Sequence, residues 1–396
     1  MKILQINSVY GVRSTGRIAW EIAQLQKENG MEPYVVSGEG TSDSPNIHIM
    51  SGKLYLKANI LKTRLFGKHG FYSQFATRRM LRFADKVKPD IVHLHNIHGH
   101  YFNVKMIFEY IQKHNIPVVW TLHDCWSFTG HCSHFDYAGC DKWKTGCGNC
   151  KRRRSYPDSW FFDRSKGNFA LKKKIFTATE KMHIVTPSHW LSSLAKESFL
   201  GKYPITTVHN GIDTDTFAPC ESDFRKKHGL EDKFLILGIV SNLDSTKGGQ
   251  YFLTLSEMLK EDEHIVLVSL ESGIEKLPEN ITAIGKTDSK EELAQIYSAC
   301  NVFVNPTLQD TFPTVNLEAL SCGTPVVTFD TGGSGESLTD ECGAVVEKGN
   351  VQALYDGIQK VRTGQFTREK CRERGLEFNS ELCFLRYIDI YKEIIK

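Results

Sequence analysis

Short runs of apolar and β-branched residues alternate along this chain with stretches of helical spacing, and this alternation restricts it to one class of fold. Strands are predicted at residues 3–7, 34–37, 91–94, 118–122 and 184–186. Strands that are apolar throughout and joined by helices pair in parallel, beneath layers of helices. The first half of the sequence therefore predicts an α/β fold built on a parallel sheet.

The second half repeats this scheme. Strands are predicted at residues 234–240, 265–268, 302–304 and 326–329, and helices at 248–260, 290–299, 315–321 and 351–361. Because the pattern breaks near Phe217, and 396 residues suit two domains, we expect domains at 1–216 and 217–375 and a terminal helix at 376–396. Ligands bind parallel sheets at the carboxyl ends of the strands, so the cleft between two such domains is the expected active site.

The composition is that of a soluble globular protein, with 40% hydrophobic and 24% charged residues. We see no apolar stretch of transmembrane length and no signal-peptide core at the N-terminus. These features predict a cytoplasmic protein.

Positive charge is concentrated in two segments of the N-terminal half. Residues 52–90 and 141–174 together hold 21 of the 49 Lys and Arg but only 5 of the 46 Asp and Glu. Such a basic zone attracts phosphates, anionic lipid or nucleic acid. The alternative is a pair of solvated helix faces. Aromatic residues are not arranged as in an RNA-binding sheet, so we expect no nucleic acid.

The segment from Asp310 to Glu318, Asp-Thr-Phe-Pro-Thr-Val-Asn-Leu-Glu, follows a predicted strand and enters a helix. A helix N-terminus offers N–H groups and partial positive charge to a phosphate, and Thr314 is the predicted N-cap residue. Asp310 is placed to bind sugar hydroxyls, and Glu318, one turn into the helix, to bind a ribose. The alternative is that Asp310 is an ordinary loop residue and Glu318 complements the helix dipole.

This segment, continued by Ala-Leu-Ser-Cys-Gly-Thr-Pro-Val-Val over residues 319–327, resembles the signature of the family-4 retaining glycosyltransferases. The resemblance implies GT-B architecture, in which two Rossmann-like domains face each other across a cleft and a C-terminal helix returns to the first domain. It assigns Asp310, where the family has Glu, to the donor sugar and Glu318 to the ribose. It also assigns the donor sugar and diphosphate to the intervening residues Thr311, Phe312, Pro313, Thr314 and Val315.

Two further segments suit the diphosphate of a nucleotide-sugar donor. Lys247 lies just before a predicted helix, in the turn that follows the first strand of the second half. The family clamps the diphosphate there with an Arg and a Lys, and the Arg position here holds Asn242. The glycine-containing loop over residues 8–17 is weak evidence alone. The resemblance makes Gly16 and Arg17 donor contacts.

His123 and Asp124 end a predicted strand, which is a typical position for a catalytic pair. The family has a His at this strand end near the donor sugar, so we predict His123 as catalytic, with Asp310 and Lys247. Asp124 is predicted to orient His123. The nearby His95, Asn96 and His98 are candidates for acceptor binding rather than for a metal, because no carboxylate completes a metal site. Asp124 is a further candidate for acceptor binding. The alternative for each is a polar residue bonded locally at a strand end.

Four cysteines lie close together in an insert at about residues 125–150, at Cys132, Cys140, Cys147 and Cys150. The final C-x2-C spacing is typical of a zinc knuckle, and the longer gaps before it are less specific. A structural zinc, a disulfide pairing and four free thiols all remain open. A zinc held by four cysteines would have no open position and would not be catalytic.

The resemblance implies a retaining hexosyltransferase that uses a UDP- or GDP-linked sugar and needs no catalytic metal. The donor's own phosphate takes the acceptor's proton, while the protein holds the diphosphate and stabilises its charge. The expected acceptor is a glycan, lipid-linked at the inner membrane face, in capsule, exopolysaccharide or O-antigen synthesis. The alternatives are a GT-B sugar-nucleotide epimerase and a non-enzymatic protein that binds nucleotide or nucleic acid.

Overall fold

The computed structural model describes residues 1–40, 44–50, 52–243, 246–274 and 277–396. Asp244 and Ser245, in the turn predicted to face the diphosphate, lie outside these residues. The chain divides into two compact units. Unit 1 comprises Met1–His209 and Phe384–Lys396, and unit 2 comprises Asn210–Cys383.

Unit 1 is a seven-stranded sheet with helices packed against it. In every pairing between its named strands the two strands are parallel, and their order is β3-β2-β1-β4-β5-β6-β7. The strands are β1 (Lys2–Val9), β2 (Glu32–Glu39), β3 (Ile47–Ile49), β4 (Ile91–Leu94), β5 (Val118–Thr121), β6 (Met182–Thr186) and β7 (Ile205–Thr207). The helices are α1 (Arg13–Glu28), α2 (Lys53–Phe66), α3 (Gln74–Val87), α4 (Val104–His114), α5 (Ser165–Thr177) and α6 (His189–Glu197).

Unit 2 is a six-stranded sheet, also parallel in every named pairing, with the order β10-β9-β8-β11-β12-β13. Its strands are β8 (Phe234–Ile239), β9 (Glu263–Val268), β10 (Ile281–Ile284), β11 (Val302–Asn305), β12 (Val326–Phe329) and β13 (Gly343–Val346). Its helices are α7 (Phe224–His228), α8 (Gly249–Ser256), α9 (Lys290–Ala299), α10 (Thr314–Ser321), α11 (Val351–Arg362) and α12 (Arg368–Leu376). Helix α13 (Ser380–Ile394) begins in unit 2, and its residues from Phe384 onward belong to unit 1.

The order of the strands places one switch point in each sheet. The chain winds outward from β1 through β2 to β3 and then returns to β4 on the other side of β1. In unit 2 the same reversal separates β8 from β11. Loops that leave such neighbouring strands in opposite directions open a crevice at their carboxyl ends, where ligands bind. The topology therefore makes the segments after β1, β4, β8 and β11 the candidate ligand-binding segments.

The predicted class of fold is confirmed, since both halves are parallel α/β layers. Central strands are buried over their full length, as in β4, β5, β11 and β12. The division between the units falls between His209 and Asn210, slightly before the position near Phe217 that the sequence indicated. The predicted terminal helix is preceded by α12, which ends at Leu376, and α13 begins only at Ser380. In the described part of the chain, no helix has both the length and the apolar character needed to cross a membrane.

Candidate active site

In unit 2, the loops that follow β8 and β11 meet at the switch point. Leu308 N donates to Thr246 O over 2.8 Å, which joins the two loops. Gly248 has a φ of +83°, and a Cβ there would collide with the carbonyl of Pro306. Only glycine fits this close approach of the two backbones. As a result, Lys247 and Asp310 are brought side by side.

The Lys247 ammonium forms an ion pair with the Asp310 carboxylate. The lysine side chain is half exposed, whereas the aspartate side chain is only 16% exposed. Phe312 N donates to the other oxygen of Asp310 over 3.3 Å, so the carboxylate also holds the turn into α10. This pair places one positive and one negative group side by side where the two loops meet. An ammonium can bind a phosphate, and a carboxylate can accept hydrogen bonds from the hydroxyls of a sugar bonded to that phosphate.

Glu318 lies one turn into α10, and Tyr297 of α9 donates from its hydroxyl to Glu318 Oε2 over 3.2 Å. The same hydroxyl lies 3.2 Å from Val315 O. Beneath the helix, the buried Asn316 donates to Ser334 Oγ and Ser337 Oγ and accepts from Asn305 Nδ2 over 2.8 Å. These contacts fix the position of α10 relative to β11, and with it the position of Glu318.

The start of α10 differs from the prediction in one detail. Pro313 occupies the N-cap position and Thr314 is the first helical residue, so the predicted Thr314 N-cap is wrong. Proline fits there because its fixed φ suits the entry to a helix and it has no N–H to satisfy. The backbone N–H groups of Thr314 and Val315 belong to the first turn, which has no acceptors within the helix. Asn210 Nδ2 donates to Phe312 O over 3.0 Å and supports the turn from behind.

The remaining donor candidates lie in both units. Asn242 is exposed directly after β8, and its carbonyl is close to Gly249 at the start of α8. Thr311 and Pro313 are buried between Asp310 and α10. In unit 1, Gly16 and Arg17 do not lie in a loop as predicted, because α1 already begins at Arg13.

Helix α1 starts early because of close packing against β1. A Cβ on the buried Gly16 would lie only 3.0 to 3.2 Å from atoms of Val9 and Tyr10, so glycine lets the helix approach the strand end. Gly11 N donates to Gly16 O over 2.9 Å and closes the turn, and Asn7 Nδ2 donates to Thr15 O over 3.0 Å. Arg17 is half-buried within this first turn.

His123 follows β5, and its Nε2 lies 3.1 Å from Nδ1 of His95, which follows β4. His95 Nε2 in turn lies 3.1 Å from Gln5 Oε1, and Gln5 Nε2 donates to Gln26 Oε1 over 3.0 Å. With the amides in these orientations, Gln5 presents an oxygen to His95, which must therefore carry its proton on Nε2. His95 Nδ1 then accepts, and His123 carries its proton on Nε2.

The chain of hydrogen bonds continues deep into unit 1. Gln26 Nε2 donates to Tyr391 Oη over 2.9 Å, and Tyr391 Oη lies 2.7 Å from His93 Nδ1. His93 Nε2 meets Thr121 Oγ1 at 2.9 Å, which meets Tyr387 Oη at 3.0 Å. Both tyrosines belong to α13, so the C-terminal helix is tied to the strands that carry the histidines.

Burial keeps these histidines neutral. It lowers the pKa of His123 to about 4, with Asp124 opposing the shift, and lowers the pKa of His93 to about 3. Burial also lowers the pKa of His95 well below its usual value, helped by His93 and His123. At neutral pH, His123 is therefore a neutral imidazole that donates and accepts hydrogen bonds rather than a cation.

Asp124 was predicted to orient His123, but its carboxylate makes another contact. Asp124 Oδ2 lies 2.5 Å from His98 Nε2, and Asp124 Oδ1 accepts from Trp126 N over 2.8 Å. Burial raises the pKa of Asp124, but the contact with His98, together with His134 and the N–H of Trp126, more than offsets this, so the net pKa is lowered. The partner of His123 in this chain of contacts is His95, whose role the sequence suggested only as acceptor binding.

A cavity of about 170 Å³ lies at the carboxyl end of β1, and most of its walls come from residues that the sequence did not single out. Its walls include Arg13, Glu39, His98, His100 and Tyr156. Tyr156 Oη is 3.2 Å from His98 Nδ1, and Thr63 Oγ1 is 3.1 Å from His100 Nδ1. Asn96 lies close by, where its backbone N–H donates to Asn7 Oδ1 over 3.3 Å. The histidine-rich sequence over residues 93–100 was the signal that could have indicated the histidines of this cavity. Tyr156 could not be found in this way, because it is distant from them in sequence.

Two family models match the chain. The family described as Glycosyltransferase Family 4 matches residues 15–216, and Glycosyl transferases group 1 matches residues 221–378. The putative colanic acid biosynthesis glycosyl transferase WcaC of Escherichia coli (strain K12) is 26% identical over the full length of both chains. A Campylobacter jejuni N,N'-diacetylbacillosaminyl-diphospho-undecaprenol alpha-1,3-N-acetylgalactosaminyltransferase is 24% identical over 47% of this chain and 53% of its own length.

Solved structures share the fold over nearly the whole chain. Sucrose-phosphate synthase from Thermosynechococcus elongatus superposes with a TM-score of 0.73 at 16% identity, covering 100% of this chain and 99% of its own. Anabaena Alr3699/HepE in complex with UDP-glucose gives a TM-score of 0.66 at 14% identity, covering 99% and 100%. These likenesses establish the GT-B architecture of the two parallel sheets.

Proposed function

The chain belongs to Glycosyltransferase Family 4 and is a glycosyltransferase, and from this premise we propose that it is a retaining hexosyltransferase. The donor is a UDP- or GDP-linked sugar, and the acceptor is a glycan carried on a lipid. The product enters a surface polysaccharide such as a capsule, an exopolysaccharide or an O-antigen. The full-length likeness to a colanic acid biosynthesis protein supports this assignment of pathway class.

The contact between Lys247 and Asp310 carries the proposal. In a nucleotide sugar the anomeric carbon is bonded directly to the terminal phosphate. The group that holds the sugar and the group that holds the phosphate must therefore be neighbours, as these two side chains are. Glu318, a turn further along α10, is assigned to the ribose, and the N-terminus of α10 to the diphosphate. The Anabaena neighbour, described with UDP-glucose, supports a donor of this chemical class.

Transfer with retention needs no nucleophile from the protein. The bond from the anomeric carbon to the phosphate oxygen breaks, and the acceptor oxygen bonds to that carbon on the same face. The acceptor proton passes to the departing phosphate oxygen, which leaves a glycoside and a nucleoside diphosphate. Lys247 and the first turn of α10 stabilise the charge that develops on the phosphate, without a divalent cation. Neutral His123 is assigned to a hydroxyl of the donor sugar, as the family resemblance implies.

We assign the acceptor to unit 1, to the cavity at the end of β1 whose walls include His98, His100 and Tyr156. Histidine and tyrosine side chains donate and accept hydrogen bonds without net charge, which suits sugar hydroxyls. The Asp124 carboxylate fixes His98 from behind. His95 and Asn96 border the same strand end.

A lipid-linked acceptor would bring unit 1 to a membrane surface. Both basic segments lie in unit 1, and they carry exposed apolar side chains, among them Leu54, which is 86% exposed, and Phe161, which is 64% exposed. Lysine and arginine beside exposed apolar groups suit peripheral binding to anionic lipid. We therefore place the protein in the cytoplasm, peripheral to the inner face of the membrane.

The test is incubation of the purified chain with radiolabelled UDP- and GDP-sugars and a membrane extract. We expect label to enter the organic-solvent fraction with one donor, and to be absent with the Asp310→Ala variant. Release of an altered, water-soluble sugar nucleotide would indicate epimerisation and contradict the proposal. Binding without turnover of any donor would also contradict it. The anomeric configuration of the product, read by NMR coupling constants, separates retention from inversion.

A further inference from the structure

A second cavity in unit 1, of about 150 Å³, is lined by four cysteines of one insert. Cys132 is buried, and Cys140, Cys147 and Cys150 are half-buried. All four are free thiols. Cysteines separated by seven, six and two residues have thus been gathered around one space by a segment that contains only short 3-10 turns.

The insert is anchored to unit 1 by aromatic packing and hydrogen bonds. Trp143 packs against Phe128 and stacks on Phe135, with ring centroids 4.9 Å apart for Phe135 and Trp143, and the three rings join the core of unit 1. Asp163 Oδ2 accepts from Cys150 N over 2.7 Å. Gly130 N donates to Cys147 Sγ over 3.2 Å, a contact that strengthens when the sulfur is a thiolate.

The sulfurs have not converged to coordination distance. Among the described residues, no three of these thiols lie within 4.8 Å of one another. Zinc–sulfur bonds of roughly 2.3 Å in a tetrahedron need sulfurs about 3.8 Å apart. Closing that gap needs movement of the turns, and the glycines of the insert have room around them. A Cβ on Gly139 or Gly146 would meet no atom within 4 Å, and one on Gly148 would meet only Lys166 Cβ at 3.8 Å.

A buried lysine next to the cavity supplies an independent argument. Lys172 is 1% exposed, and its Nζ donates to Trp126 O over 2.6 Å and to Thr129 O over 3.0 Å. It lies 3.2 Å from the centre of the Trp126 ring. Within the described part of the chain, no carboxylate forms an ion pair with it. A buried ammonium is costly unless an anion compensates it. Four thiolates around Zn²⁺ carry a net charge of −2 and would provide that anion.

We propose that Cys132, Cys140, Cys147 and Cys150 bind one structural Zn²⁺, and that Lys172 offsets the negative charge of the complex. The insert follows directly on His123 and Asp124. Two hydrogen bonds hold its first turn: Cys125 N donates to Ser133 O over 2.8 Å, and Thr129 Oγ1 donates to Cys132 O over 2.5 Å. Zinc therefore stiffens the segment that leaves the candidate catalytic strand end. With four protein ligands it has no open position and takes no part in transfer.

The first test is the metal content of the full-length chain, purified without a histidine tag from medium supplemented with zinc. We expect one zinc per chain by mass spectrometry of the metal. Cys147→Ser and Cys150→Ser should lose it, and the matched control Cys220→Ser, an exposed cysteine of unit 2, should keep it. Because a ligand variant can fail to fold, the wild type is also titrated with a mercurial reagent in the presence of a chromogenic chelator. Release of one zinc after four thiols have reacted supports the site.

A wild-type chain without zinc would overturn the proposal, and thiol counting then identifies the alternative. Eleven reactive thiols after denaturation would mean that the four cysteines are free, and fewer would mean disulfides. For the lysine, Lys172→Met should speed zinc release to the chelator by roughly tenfold, because the complex loses its counter-charge. An unchanged rate of release would remove Lys172 from the proposal. These readouts do not depend on activity, so the zinc site and the proposed transferase function can fail separately.

Discussion

At the residue scale, the two acids assigned to the donor differ in the contacts that they already make. Asp310 holds Lys247 and the Phe312 N–H, whereas Glu318 meets a hydroxyl of Tyr297. A bound diphosphate would compete with Asp310 for Lys247, which then leaves the aspartate to meet sugar hydroxyls. At Glu318, a bound ribose would meet a carboxylate that accepts from the Tyr297 hydroxyl. We therefore assign the two acids to different steps.

We expect Glu318→Ala to raise the dissociation constant of the nucleoside diphosphate on the order of tenfold, because a charge-assisted bond to the ribose is lost. Asp310→Ala should not raise that constant, because Lys247 loses a competing carboxylate. It should reduce kcat on the order of a hundredfold, since the assigned contact of Asp310 is with the reacting sugar. Calorimetry and initial rates measure the two effects. Glu341→Ala, at an exposed acid of unit 2, is the control. Full activity in both site variants would contradict the assignment of the donor segment.

His95 should act on catalysis through His123. Removing it with His95→Ala deletes the acceptor that fixes the proton of His123 on Nε2. We expect kcat to fall by roughly tenfold while KM for the donor changes little, and His95→Gln to recover part of the loss. His183→Ala, a histidine on β6 outside this chain of contacts, should leave both constants unchanged. If His95→Ala and His95→Gln lost activity only in proportion to their loss of thermal stability, His95 would be a packing residue.

Sequence reasoning located His123, Asp124 and His95 at strand ends but did not predict the contacts of His123 with His95 and of Asp124 with His98. Which side chains meet there depends on the register between β4 and β5, in which Leu94 faces Trp120. A change of register by one residue would exchange the faces of every side chain, and register cannot be read from the strands alone. Asp310 and Glu318 could be located because one short segment carries both. Tyr156 could not, because only the fold brings it to His98.

At the scale of elements, the central strands were predicted and the edge strands were missed. The four strands without a prediction are β3, β7, β10 and β13, and these are the outer strands of the two sheets. Their residues are mostly half-buried, unlike those of β4, β5, β11 and β12. An edge strand has a neighbour on one side only, so its composition stays mixed and the apolar run that signals a central strand is weak.

Helix α13 is attached to the sheet of unit 1 by polar contacts that its sequence did not reveal. Tyr391→Phe removes the hydroxyl that joins Gln26 Nε2 to His93 Nδ1. Two buried polar groups are then left without that partner, which should lower the free energy of unfolding by about 1–3 kcal/mol. Urea denaturation followed by tryptophan fluorescence measures it. Tyr137→Phe, at an exposed tyrosine, should change it by less than about 0.5 kcal/mol.

The histidine of β4 should also make unit 1 sensitive to acid. Burial holds the pKa of His93 at about 3 in the folded chain, against an ordinary value of 6.5, and its neighbours are His95, Thr121, Tyr387 and Tyr391. Between these two pKa values the unfolded chain binds a proton that the folded chain does not, so stability is present above 6.5 and is lost as pH falls. We expect a loss of about 1.4 kcal/mol per pH unit from this residue.

Urea midpoints at pH 7.5, 6.5 and 5.5 test this dependence. His93→Gln should have a shallower decline than the wild type even if it is less stable at pH 7.5. His114→Gln, at an exposed position at the end of α4, should keep the wild-type slope. Identical slopes in all three proteins would show that His93 does not carry the dependence.

At the scale of the whole molecule, the two units carry different proposed roles and different charge. The donor contacts we assign lie mainly in unit 2, whereas unit 1 holds the cavity proposed for the acceptor, the cysteine insert and both basic segments. In the second half of the sequence, one continuous segment carries the predicted donor contacts, so they could be proposed from the sequence. The acceptor side that we propose depends on loops far apart in the sequence, and only the tertiary structure brings them together.

The exposed surface of unit 1 that joins α2 to residues 160–162 has the chemistry for lipid. Trp160 N donates to Arg64 O over 2.7 Å, and the rings of Phe66 and Phe162 stack with centroids 6.5 Å apart. Phe161 beside them is largely exposed, and Arg153 Nη1 donates to its carbonyl over 2.6 Å. An apolar cluster with arginines around it can insert between headgroups while the guanidinium groups bind their phosphates.

We therefore expect the chain to sediment with vesicles that contain 30% phosphatidylglycerol and not with phosphatidylcholine alone, and to be released by salt as charge is screened. Phe161→Asp should reduce the bound fraction severalfold, because it removes an apolar anchor and adds a charge that anionic lipid repels. Leu382→Asp makes the same kind of change at an exposed leucine of unit 2 and should bind as the wild type does. Equal sedimentation with both kinds of vesicle, or equal losses in both variants, would contradict a membrane-facing role for this surface. The acceptor would then be a glycan that reaches unit 1 in solution.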